Sequence, residues 1–128
     1  MTNIFQLIMT RQVDAVKSLI HRDPTTIHQK DPKGFTPLIF STYMDSQPIA
    51  EALIAAGAEV DQRGSAGYTA LMGVCFKGNL PLARLLLDKG ADPSLKNDEG
   101  MTALDFAKKY NQPAIVKLLT GNESSKTV

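Results

Sequence analysis

Apolar residues fall along this chain in short stripes, each bounded by turn-forming residues. Between Pro81 and Gly90, Leu82, Leu85, Leu86 and Leu87 recur at helical spacing, which predicts an amphipathic helix closed by a C-terminal glycine. The block PIAEALIAAGAE from Pro48 and the block AIVKLLTGNE from Ala114 repeat this layout, with Gly57 and Gly121 at their ends. A different segment precedes each block: DPKGFTPL from Asp31, GSAGYTAL from Gly64 and NDEGMTAL from Asn97. Their glycines Gly34, Gly67 and Gly100 are 33 residues apart, as are Thr36, Thr69 and Thr102, and Leu38, Leu71 and Leu104. A fixed period of this length is the mark of stacked supersecondary units.

The unit follows from local chemistry. The Asp/Asn-x-x-Gly segment is a turn in which glycine supplies a positive φ. The threonine caps a first helix of about eight residues, and Pro37 takes the first helical position, where a missing N–H is harmless. The chain breaks at Asp45-Ser46, Gly78-Asn79 and Asn111-Gln112. Pro48, Pro81 and Pro113 then open the second helix, and an extended return completes the unit.

With Gly34-Phe35-Thr36-Pro37-Leu38 opening the unit, and Gly57-Ala58-Glu59 or Gly90-Ala91-Asp92 closing it, the sequence resembles the ankyrin repeat. The resemblance covers about 90 of the 128 residues, and about 120 with a degenerate first unit. In that first unit Asn3 to Arg11 and Val13 to Arg22 form amphipathic helices, alignment needs a one-residue gap, and the turn Gly and the Thr are absent, as suits an N-terminal capping repeat. The resemblance implies an all-α repeat solenoid of turn or β-hairpin loops and antiparallel helix pairs. One domain is expected over residues 1–121, with repeats at 1–30, 31–63, 64–96 and 97–121 and a polar tail at 122–128. Ile39, Met72 and Asp105 replace the histidine usual in the family, which removes a stabilising hydroxyl–imidazole bond.

Composition narrows the chemistry. Apolar residues make up 43% of the chain, an ordinary globular value once nine Gly are added. Fourteen basic residues face thirteen acidic ones, so no overall field draws nucleic acid or an anionic membrane. One Cys and two His exclude a disulfide framework and a structural zinc site, and no cofactor or metal is expected. The N-terminus has no basic n-region and no window suffices for a membrane span, so a cytoplasmic protein is expected. Asp88 to Glu99 imitates a calcium loop but carries Pro93 where the turn glycine belongs. His21 and His28 lack companion ligands, Cys75 has no base in its unit, and Gly64 to Gly67 is not followed by the lysine of a phosphate loop. Asn122-Glu123-Ser124 has only the form of a glycosylation site. A catalytic activity is not expected.

The resemblance further implies that partners dock on the turn tips and the exposed side of the first helices, forming a concave face. These slots carry Lys30, Pro32, Lys33, Phe35, Tyr43 and Met44, then Arg63, Ser65, Ala66, Tyr68, Phe76 and Lys77. In the last unit they carry Lys96, Asp98, Glu99, Met101, Lys109 and Tyr110. Five of the eight aromatic residues fall here, which leaves Phe5, Phe40 and Phe106 as interior rings. Phe35, Tyr68 and Met101 form a tip row that either binds or packs turn on turn. Tyr43, Phe76 and the displaced Tyr110 form a helix row with the character of interface hot spots. Six of the slots are basic and two acidic, so a near-neutral chain presents a basic, aromatic face. The expected function is non-catalytic recognition of a partner protein with an acidic surface, by a chain that is monomeric when free. The alternatives are an acidic ligand or nucleic acid on the same face, or self-association.

Overall fold

A computed structural model describes residues 3–121. The polar tail and the Asn122 sequon lie outside them. Among the described residues eight α-helices run in chain order: α1 (Ile4–Met9), α2 (Val13–Arg22), α3 (Pro37–Tyr43), α4 (Gln47–Ala55), α5 (Ala70–Lys77), α6 (Leu80–Asp88), α7 (Ala103–Lys109) and α8 (Pro113–Leu119). They form four hairpin pairs. The first helices pack in sequence, α1 on α3, α3 on α5 and α5 on α7, while α2 packs on α4 and α6 on α8.

Capping residues set where the helices begin. The hydroxyls of Thr36, Thr69 and Thr102 accept from the backbone N–H of Ile39 (3.1 Å), Met72 (3.3 Å) and Asp105 (3.2 Å). The first unit lacks the threonine, but Asn3, one period before Thr36, does the same work by accepting from Gln6 N–H at 2.9 Å. Asp105, standing where the family carries histidine, accepts from the Thr102 N–H at 2.9 Å and completes a capping box. That contact with the Thr102 backbone, opposed by slight desolvation, leaves the Asp105 carboxyl below its ordinary pKa.

The break inside each pair has one conformation. Arg11, Asp45, Gly78 and Asn111 all adopt left-handed φ, between 55° and 83°, at the corresponding position of the four units. The spacing from Arg11 to Asp45 is one residue longer than the others because α1 is one residue shorter than α3. Second helices bury Ile49, Leu82 and Ile115 in register, each side chain contributing about 1.5–3 kcal/mol. Ala70 and Ala103 let the first helices approach closely and are likewise buried.

The turn tips are closed by backbone bonds from Asp31 N–H to Phe35 O (3.0 Å), Gly64 N–H to Tyr68 O (2.7 Å) and Asn97 N–H to Met101 O (2.9 Å). No strand pair forms among the described residues. Asp31 and Asn97 brace their tips by accepting two backbone N–H bonds each. Gly64 cannot carry such a side chain, because a Cβ there would lie 2.8 Å from the Gly34 carbonyl oxygen.

Candidate partner-binding surface

The tips and the first helices enclose a groove of about 440 Å³. Lys33, Phe35 and Tyr68 reach it from the tips, Tyr43, Phe76 and Tyr110 from the helix ends, and Phe106 closes one side. Gly73, midway along α5, forms part of its floor. The helix row is exposed: Tyr43 at 47%, Phe76 at 45% and Tyr110 at 39%, values exceeded among the large apolar side chains of the described residues only by Met9 on α1. Although Tyr110 is displaced by one position, its ring meets Phe76 edge-on at 4.6 Å between centroids.

The tip row behaves differently. Phe35, Tyr68 and Met101 are half-buried and pack against the core. Phe35 lies 5.8 Å from Phe40 and 5.7 Å from Tyr43, and Tyr68 lies 5.3 Å from Phe106. Of the three rings expected inside, Phe106 is buried, while Phe5 and Phe40 are only half-covered and meet edge-on at 5.8 Å. The rings thus form two clusters, Phe5–Phe40–Phe35–Tyr43 and Tyr68–Phe106–Tyr110–Phe76, with the groove between them.

The cations divide as well. Lys33 lines the groove. Lys77 lies over the Tyr43 ring at 4.7 Å, donates to the Tyr43 carbonyl at 2.7 Å and pairs with Asp45 at 3.3 Å. Partial burial pushes the Asp45 pKa up, but bonds from Asn79 and Lys77 and the charges of Lys77 and Arg11 outweigh it and hold the carboxyl below its ordinary value. Arg63 bridges two tips, donating to the carbonyls of Gly67 and Lys96. Lys109 sits 5.6 Å from its neighbour's Tyr110 ring. Lys30, Met44, Lys96 and Met101 stand outside the groove lining, and the Met44 carbonyl accepts from Arg11. With Asp45 counted, the basic surplus of the expected slots falls from four to three.

The other candidates are accounted for. Burial pushes the Cys75 thiol up to about 12, far from any nucleophilic range. Asp92 accepts from the backbone N–H and hydroxyl of Ser94, and Asp88 is the last residue of α6. His21 and His28 are exposed, and the described residues contain no cluster of three or more metal-ligating side chains. No helix among them is long and apolar enough to cross a membrane.

Helix pairs stacked at a 33-residue period, threonine-capped first helices and closed glycine tips define a helical repeat protein. Comparison with family profiles gives the class its name: residues 60–128 match "Ankyrin repeats (3 copies)" and residues 33–65 match "Ankyrin repeat". The chain belongs to the ankyrin repeat family. A search of curated proteins finds no match. Ankyrin repeats are generally protein–protein interaction modules, and typically not enzymes.

Sequence reasoning found eight of the groove residues but missed its floor. Gly73 reads in the sequence as a weak point of α5, and only its place one period from both Phe40 and Phe106 hints at more.

Proposed function

We propose that this chain recognises a partner protein on the face formed by the turn tips and first helices, and acts by occupying that partner. The observation that carries this reading is the exposed row Tyr43, Phe76 and Tyr110 around an apolar groove. Each of these exposed rings is already held against another ring, Tyr43 on Phe35 and Phe76 on Tyr110, so it loses little entropy when covered and makes an efficient anchor. Lys33 at this groove favours a partner with an acidic group beside its apolar contact. The test is affinity capture from lysate of the source cells, comparing the wild-type chain with the Tyr43→Ala/Phe76→Ala variant. A captured protein that the variant loses, while the variant remains folded by circular dichroism at the temperature of the capture, supports the reading. Capture that is indifferent to both rings, or that falls about tenfold or more between 50 and 200 mM salt as for nucleic acid, overturns it.

A further inference from the structure

One position on the groove carries no side chain where its counterparts carry rings. Phe40, Gly73 and Phe106 occupy the same position of three successive first helices, 33 residues apart. Phe40 belongs to one ring cluster and Phe106 to the other. The repeat between them presents a hydrogen atom, and a Cβ built on Gly73 would meet nothing within 4 Å. Glycine in a helix interior is unfavourable relative to alanine, and here neither a positive φ nor a close backbone approach requires it.

We infer that Gly73 opens a socket for one bulky aromatic side chain of the partner, which completes the ring row between Phe40 and Phe106. This rests on the partner-binding reading above. The groove's volume of about 440 Å³ falls in the roughly 300–1,000 Å³ range of pockets that bury small organic ligands, so it has room for an indole. Its lining offers ring faces and edges from Phe35, Tyr43, Tyr68, Phe76, Phe106 and Tyr110. The exposed lining is overwhelmingly apolar, and the Thr42 hydroxyl already donates to the Ile39 carbonyl at 2.8 Å. An apolar ring therefore gains more from this site than a polar side chain does. Lys33 on one wall is placed to meet a carboxylate flanking that ring. The occupant is an aromatic side chain beside an acidic residue.

The test is selection of a displayed random-peptide library on the full chain, with affinities then measured for wild type, Gly73→Ala, Gly73→Phe and Tyr43→Ala. The expected result is enrichment of peptides pairing an aromatic with an acidic residue. Their affinity drops about tenfold or more with Gly73→Phe, which fills the socket from within, and less with Gly73→Ala. Both variants retain the melting temperature of the wild type or exceed it, so lost binding is not lost folding. If Gly73→Phe proves unstable, the Gly73→Ala affinity decides alone: a loss of about threefold or more supports the socket and no change overturns it. Peptides that lose affinity with Tyr43→Ala but ignore both Gly73 variants overturn the socket and leave the binding face standing. Peptides that ignore all three variants, or a selection that yields none, overturn both.

Discussion

The side-chain amide of Gln112 donates to the carbonyl oxygen of Phe76 at 3.2 Å, so the last repeat caps the end of a helix in the one before it. Lys77 does the same for Tyr43, and Arg11 reaches forward to Met44. These carbonyls belong to helix ends, where the backbone has no partner of its own. Each junction is thereby closed by a side chain from a neighbour, which ties the stability of one repeat to the next.

Gly78 lies beneath that Gln112 bridge. Its φ is +83°, and an added Cβ would sit 2.4 Å from the Gln112 amide oxygen. Gly78→Ala should lose about 1–2 kcal/mol from the left-handed backbone alone, together with the bond to Phe76. Urea unfolding should show a lower midpoint with an unchanged slope, while Gln112→Ala should lose only the smaller, hydrogen-bond part.

Gly73→Ala should act in the opposite sense on folding. The added methyl meets open space and relieves the helix of its glycine, so stability should rise by about 0.5–1 kcal/mol. Thermal unfolding checks this without any partner. A fall in melting temperature would mean that the floor of the groove is tighter than described.

Tyr43→Ala and Phe76→Ala should each weaken partner binding by about 2 kcal/mol or more. Both rings are nearly half exposed, so the folding loss should stay near the value of one ring contact, about 0.5–1.5 kcal/mol. Titration calorimetry against the captured partner, beside a melting curve of each variant, separates the two effects.

Acid should destabilise the fold through the carboxylates that it holds ionised. Asp45, Asp92 and Asp105 all have pKa values lowered in the folded chain. A lowered folded pKa contributes stability that is fully present above the unfolded value of about 3.9 and is lost as pH falls through the folded value. Unfolding midpoints in urea should therefore hold steady from about pH 7 to 5 and drop below about pH 4. Asp45→Asn should start from lower stability and show a smaller drop, having no carboxylate to protonate beside Lys77.

Cys75 should be silent towards a thiol reagent in the native chain. Its side chain is fully buried and burial raises its pKa to about 12, so little thiolate forms and no reagent reaches it. Reaction should appear in denaturant, at the transition seen by circular dichroism. Prompt labelling of native protein would place the thiol outside the core.

The helices and their starts are legible in the sequence because single residues impose them locally: Thr36, Thr69 and Thr102 cap, and Pro37 and Pro113 fit only a first turn. Asn3 escaped notice because a cap is defined by side-chain geometry, which asparagine shares with threonine without resembling it. The exposed helix row was also legible, since Tyr43 and Phe76 sit in register on the outward side of short helices. What period alone cannot reveal is which long side chains the neighbours engage. Arg63 and Lys77 look in sequence like free cations, and both are held by carbonyls one repeat away. The floor of the groove was hidden for a related reason: Gly73 carries no side chain where its counterparts carry rings.

The chain has no tryptophan and three tyrosines, and Tyr43, Tyr68 and Tyr110 all line the groove. Its ultraviolet emission therefore originates entirely at that surface. A side chain that enters comes among these tyrosines, and an entering indole would accept their excitation by energy transfer. Occupancy of the groove can thus be followed in unlabelled protein, as tyrosine emission falls and tryptophan emission rises.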